Sequence, residues 1–175
     1  LNNVNGMAIF ASRGNVTLKY SNNSIDRIRL TGGSQGYDNV YEVKIEKGRF
    51  FNNEEIESGR NTVVIGHEVA NALFVNGTET IKSKNLKYVV AGVIQKEGQS
   101  FLGTPSNDYA ALIPYQAFRR LYQTGTGHPF ELNSVIGVKG YESDIGLVEL
   151  ENEVKGILRA RRGLRPTEKD NFALN

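Results

Sequence analysis

The chain has 175 residues, 39% of them hydrophobic and 23% charged, which suits one ordinary domain or two small intertwined subdomains and excludes a disordered chain. Its net charge of +2 lacks the cationic excess that binding to phosphate polymers demands. The absence of cysteine excludes a disulfide framework, a thiolate metal site and a thiol nucleophile.

No apolar run approaches the ~20 residues needed to cross a bilayer. The longest, "YVVAGVI" from Tyr88 to Ile94, has strand length. The chain opens on Leu1 with no signal-like segment and reads as a piece excised from something longer.

The first half alternates with period two. Val16, Leu18 and Tyr20 form one set, Ile28 and Leu30 a second, and Tyr41, Val43 and Ile45 a third. Each predicts a half-buried strand. "SNNS" (Ser21 to Ser24) and "TGGSQGYDN" (Thr31 to Asn39) read as turns between them.

"TVVIG" (Thr62 to Gly66) is then a short, continuous apolar strand. It runs into "HEVANALF", where Val69, Ala72 and Leu73 predict a short helix. A strand pair follows around "ETIKS" and "LKYVVAGVIQ", then a polar stretch from Lys96 to Asp108. "YAALI" is another strand, and Pro114 suits the first position of a helix carrying Tyr115, Phe118, Leu121 and Tyr122 on one face. "QTGTGHPFELN" reads as loop and "SVIGVK" as strand.

The last long element is a helix from about Ser143 to Arg162, with Ser143 as N-cap and Asp144 in the first turn. Leu147, Leu150, Val154, Ile157 and Leu158 form its apolar stripe. Gly163 suits the C-terminal cap, Pro166 prevents resumption, and "NFALN" can return as a final strand.

The arginines that close this helix pose a choice between a phosphate-gripping patch and helix-end charge. Arg159, Arg161 and Arg162 fan around the helix rather than share a face. Their common property is the last turn, where cations meet the free carbonyls. Glu168 and Asp170 follow closely enough to pair with them, and no aromatic is interleaved for base stacking.

The search for chemistry returns little. His67 starts a helix, position 71 is Asn71, and no H-E-x-x-H pattern is completed; His128 lies in a loop before Pro129. No G-x-S-x-G elbow occurs, and "TGGSQG" and "TGTG" lack the ending of a P-loop. Glu54 and Glu55 are adjacent and would face opposite ways in a strand. Sequons at Asn15, Asn22 and Asn76 matter only in a eukaryotic secretory setting. The expectation is no catalytic residue, no metal and no cofactor.

Five segments in register resemble the MacB-like periplasmic core domain of MacB/FtsX-type ABC transporter permeases. "YEVKIEKGRFFNNEE" is similar to that family's Y-x-V-x-x-x-x-G-R-F-F-x-x-E segment, and "NTVVIGHEVANALF" to its V-V-V-L-G-x-x-V-A-x-x-L-F segment. "LKYVVAGVIQKEG", "NDYAALIPYQAF" and "LRARRGLRPTEKDNF" follow in the family's order, so the likeness spans about Tyr41 to Leu174.

The resemblance implies an α+β fold in two subdomains: a porter-like α/β subdomain from residues 1–47 and 134–175, and an inserted, mostly β subdomain over residues 48–133. It implies a bacterial domain outside the cytoplasmic membrane. Its partners would be the membrane-spanning segments of the same permease, a cytoplasmic ABC ATPase acting through them, a second permease as homodimer or pair, and room for a periplasmic adaptor. Gly48, Arg49, Phe50, Glu54, Gly66, Pro114 and Arg159 would be structural motif residues. Within the motif, Gly48 would relax the backbone where a strand leaves its sheet, and Phe50 would anchor the core with Phe51 over the opposite face. Arg49 would pair with Glu54 or Glu55. Phe101 and Leu102, in the polar stretch, are candidate partner contacts. The expected function is to couple cytoplasmic ATP hydrolysis to substrate export or extraction by conformational change. A secreted β-rich binding module or hydrolase for glycans or peptides is the competing reading.

Overall fold

The computed structural model describes residues 2–74, 80–83 (backbone only), 86–98, 106–122, 124 and 132–174. Among these, the strands are β1 (Val4–Tyr20), β2 (Asn23–Gly33), β3 (Ile45–Gly48), β4 (Thr62–Ile65), β5 (Thr80–Ser83), β6 (Leu86–Ile94), β7 (Ala110–Pro114) and β8 (Val135–Gly140). The helices are α1 (Tyr37–Val40), α2 (Asn53–Ser58), α3 (His67–Leu73), α4 (Tyr115–Leu121) and α5 (Val148–Arg161). No helix among the described residues is long and apolar enough to cross a membrane.

The chain divides into two units, residues 1–7 with 138–175, and residues 8–137. The sequence places residues 8–47 with the chain ends; by contact they pack in the larger unit. The reason is strand pairing. β2 runs parallel to β7, Leu30 opposite Ala111 and Gly32 opposite Ile113, and antiparallel to β1 from Phe10↔Gly33 to Tyr20↔Asn23.

In the larger unit the hydrogen-bonded order β2-β7-β4-β6-β5-β1 closes on itself through the β1–β2 pairing, and β3 adds to β6. β4 is parallel to β6 and antiparallel to β7. A strand held on both sides and covered on both faces is mostly apolar, as Val63, Val64 and Ile65 are, with Thr62 buried at its start against Glu55. Val63 and Ile65 enter a core with Leu18, Ile28, Leu30, Tyr88, Ile113, Val69, Leu73 and Phe118. Val64 points the other way, into a second cluster with Leu112, Ile94, Tyr37, Phe51 and Ile56.

Several elements depart from the sequence reading. Thr31–Gly33 is strand, not turn. A side chain at Gly32 would stand 2.6 Å from Phe118 Cγ, and one at Gly33 2.9 Å from Tyr37 Cγ, so these glycines admit packed aromatics. Residues 37–40 are a helical turn and Tyr41 and Glu42 a tight turn, so the third alternating strand starts only at Ile45. In α3, Val69 and Leu73 are buried but Ala72 is exposed. Pro114 is the last strand residue, opposite Gly33, and caps α4 from outside rather than entering it.

The smaller unit holds the first residues of β1, the end of β8 and α5. Its helix begins later than the sequence suggests. Gly146 and Leu147 both have left-handed backbones (φ 76° and 57°), so only a 3-10 turn forms before Val148. Leu147 holds the N-cap position, and the free N–H groups of the first turn are met by Asp144, not Ser143: its carboxylate accepts from the backbone N–H of Glu149 (3.1 Å) and Leu150 (2.9 Å). Residues 171–174 run in bends and form no strand.

Gly66 marks a close approach that no side chain survives. It precedes α3, donates its N–H to Ala110 O at 2.8 Å, and a Cβ there would lie 2.6 Å from the carbonyl carbon of Asp108. Gly66→Ala is expected to cost about 1–3 kcal/mol by overpacking. Gly156→Ala, at an open position in α5, is expected to gain about 0.5–1 kcal/mol from helix propensity. Urea melts of the two variants check the opposite signs.

Candidate functional site: an ion-paired crossover, a pinned loop and a clamped helix end

The crossover out of β3 depends on two glycines meeting. Gly48 has φ 74°, a conformation that favours glycine, and pairs with Gly92 of β6. A Cβ on Gly48 would fall 2.9 Å from Gly92 Cα, and one on Gly92 would fall 2.5 Å from Arg49 O. Arg49 N–H then donates to Ala91 O at 2.9 Å, and the chain turns toward α2.

The Arg49 guanidinium forks onto Glu55, with Nη1 to Oε2 at 2.7 Å and Nη2 to Oε1 at 3.0 Å. Glu55 is buried; Arg49 is half-exposed. The same carboxylate accepts from Asn52 N–H at 3.0 Å and Thr62 Oγ1 at 3.3 Å, while Asn52 Oδ1 accepts from Glu55 N–H at 2.8 Å. This is a capping box in which the N3 carboxylate also holds an arginine. The Arg49 hydrogen bonds hold the Glu55 carboxyl at about 2, against the opposing pull of burial. Of the two partners expected for Arg49, Glu55 is engaged; Glu54 points outward to Arg60 at 2.8 Å. Both acids sit in a first helical turn, not in a strand, because Asn52 starts α2. Phe51 is the buried ring and Phe50 the half-buried one, with centroids 4.6 Å apart.

The polar stretch after β6 is pinned at both described ends. Asp108 is buried and accepts from Glu97 N–H (2.9 Å) and Gly98 N–H (3.0 Å). Glu97 answers by accepting from Asn107 N–H (2.8 Å) and Nδ2 (2.9 Å). Arg29 Nη2 donates to Asn107 Oδ1 at 2.9 Å, and Lys96 pairs with Glu68 at 3.0 Å. Phe101 and Leu102 lie outside the described residues, as do His128 and Asn76.

The terminal arginines serve the helix end. Gly163 (φ 64°) closes α5: its N–H donates to Ala160 O at 3.2 Å and Leu164 N–H to Arg159 O at 3.0 Å, a Schellman cap. The Arg159 guanidinium gathers the segment beyond, donating to Arg165 O (2.6 Å), Pro166 O (3.3 Å), Glu168 O (3.0 Å) and the Asp170 carboxylate. Lys155 adds a second contact to Asp170 at 3.1 Å, and hydrogen bonding from Arg159 keeps the Asp170 carboxyl below its usual range. Arg162 donates to Asn171 and lies over the Phe172 ring.

In the described parts of the three hydrogen-bonded clusters the hydroxyl beside a carboxylate is Thr62 on Glu55, and both are buried. His67 is half-buried and shares Nδ1 with Glu46 Oε2 at 2.9 Å, a pairing that spacing alone does not reveal. Among the described residues no three His, Asp or Glu side chains come together as a metal site. The arrangement fixes backbone segments to one another. Asp108 and Glu55 are the residues that sequence reasoning undervalues. The signal for Glu55 is the N-x-x-E spacing from Asn52; for Asp108 there is none, because its donors are backbone groups.

Two outcomes follow from these geometries. Glu55 has its pKa lowered from 4.5 to about 2, so its contribution is complete above pH 4.5 and is lost as pH falls toward 2. Glu55→Gln should lower stability at pH 7 by about 1–3 kcal/mol, the half-exposed arginine keeping it below the value for a fully buried pair, and should flatten the fall between pH 4.5 and 2. Denaturant melts across that range check it. Arg159→Gln should speed tryptic cleavage after Arg162 several-fold while leaving the melting of the larger unit unchanged.

The family described as MacB-like periplasmic core domain matches residues 1–154. The macrolide export ATP-binding/permease protein MacB of Wolinella succinogenes is 31% identical over 157 residues, 85% of this chain. This chain spans 22% of that relative's length. Among solved structures, the periplasmic region of MacB from Actinobacillus actinomycetemcomitans superposes with a TM-score of 0.70 at 18% identity, covering 94% of this chain and 70% of that one. The extracellular domain of the noncanonic ABC-type transporter YknZ from Gram-positive bacteria superposes at 0.68 and 20% identity, covering 94% and 79%. The mixed sheet with helices described above is the fold of these domains. The chain belongs to the MacB-like periplasmic core domain family.

Proposed function

We propose that this domain passes movement across the extracytoplasmic face of an ABC transporter permease, coupling cytoplasmic ATP hydrolysis to export or extraction of a substrate without catalysing a reaction itself. The observation that carries this reading is the family match over residues 1–154, joined to a polar inventory spent on holding backbone. The Arg49–Glu55 fork secures the crossover, Asp108 the loop base, and Arg159 the helix end. A part that transmits displacement needs stiff pieces and a surface that meets a partner; it needs no reactive group.

The partners in this reading are the membrane-spanning segments of the same permease, the ATPase that acts through them, and a second permease copy. Phe101 and Leu102 are the proposed contact residues, carried on a stretch whose two ends are fixed to each other through Asp108 and Glu97. Replacing both with serine in the full-length permease should reduce transport sharply while ATP hydrolysis persists and the melting temperature moves by less than about 2 °C. Transport assays with melting of the same protein decide it. A large fall in melting temperature would show that the pair is core, and unchanged transport would remove it from the contact surface.

A further inference from the structure

The smaller unit is short of a core. It has about 45 residues and no disulfide, a size at which one helix on two strand ends buries little. Within the apolar stripe of α5, Leu150 is buried at 5% exposure and Val154 and Leu158 are half-buried. Ile157, two turns beyond Leu150 on the same side, is 42% exposed, and Leu147 is 48% exposed. Val148 and Ile145 stand out still further, at 56% and 90%. An amphipathic helix normally turns such a stripe against another element.

The start of the chain lies beside this stripe. Backbone N–H groups of Asn2 and Asn3 both donate to the Glu153 carboxylate, at 2.6 and 2.9 Å. Glu153 is one turn before Ile157, so polypeptide continuing backwards from Asn2 leaves from the flank of the open stripe. The superpositions that cover 94% of this chain cover 70% and 79% of the solved relatives, so those chains hold residues outside the match. The stripe's own flanks are acidic, with Glu149 and Glu151 beside it.

On the reading that this domain is part of a longer permease, we propose that the open face of α5 is the docking site for the polypeptide immediately preceding Leu1, an amphipathic segment that lays apolar residues across Leu147, Val154, Ile157 and Leu158 and sets Lys or Arg against Glu149 and Glu151. Docking there makes α5 the element that receives displacement from that segment. The surface commits to an intramolecular occupant because Asn2 and Asn3 already bring the chain to it.

The test is thiol labelling of single cysteines, which this cysteine-free sequence permits. Leu147→Cys and Ile157→Cys are placed in the full-length permease, in a background without other cysteines, with Lys169→Cys as exposed reference. Both should react with a maleimide roughly tenfold more slowly than the reference there, and at the reference rate in the 175-residue chain. Rates equal to the reference in the full permease overturn the proposal. So does protection that grows with concentration in the 175-residue chain, which would mark a second copy as occupant. Changing the apolar residues of the preceding segment to serine should restore fast labelling; protection that survives the change also overturns it. Transport by the same cysteine variants separates the two readings: normal transport with open cysteines sinks the docking and leaves the proposed function standing.

Discussion

A carboxylate withdrawn from water must find donors for its lone pairs, and Glu55 finds four: two from the Arg49 fork, one from Asn52 N–H and one from Thr62 Oγ1. Those donors come from the end of β3, the start of α2 and the start of β4. One buried side chain thus decides how the chain passes from one strand, through a helix, to the next. The crossover also needs the Gly48–Gly92 contact, since a Cβ on either residue would strike the facing backbone. The two requirements are coupled: the glycines place Arg49 where its guanidinium reaches Glu55, and the ion pair holds the turn in place.

The same device recurs with different residues. Asp108 takes two backbone N–H groups and closes the base of the polar stretch, and Arg159 offers its N–H groups to three backbone carbonyls beyond α5. In these two cases the charged side chain is satisfied mostly by main chain, whereas Glu55 takes three of its four donors from side chains. Charge of this kind holds main chain in place. It converts irregular segments, which have no ladder or helix of their own, into fixed ones. A domain proposed to transmit movement needs fixed segments of this kind, and among the described residues no three His, Asp or Glu side chains gather as a metal site.

The two units are stabilised differently. The larger one has apolar clusters on both faces of a sheet that closes on itself. The smaller one has Leu150 as its buried apolar side chain and depends on caps and salt bridges: Asp144 at the start of α5, the Schellman turn at its end, and the Arg159–Asp170–Lys155 cluster. Hydrogen bonds and exposed ion pairs contribute less per group than apolar burial does, so the smaller unit is the one that benefits from a covering segment.

What the amino-acid sequence determined by itself is the set of elements whose periodicity is long or whose burial is two-sided. Val63–Ile65 and Ala110–Ile113 are legible as strands because residues covered on both faces are apolar without interruption, "LKYVVAGVI" because it is rich in β-branched residues although Lys87 and Val89 are exposed, and the closing helix because its stripe recurs at helical spacing. The family was legible because five segments resemble its motifs in the same order. Tertiary structure alone decided the rest. It made Thr31–Gly33 a strand, since only the arrival of Phe118 and Tyr37 explains those glycines. It delayed α5 to Val148 through two left-handed residues, and it chose Glu55 over Glu54, because which of two adjacent carboxylates is buried depends on the helix phase set by Asn52. It moved residues 8–47 into the larger unit, since partners such as β2 and β7 are some eighty residues apart and strand pairing at that distance leaves no trace in local sequence.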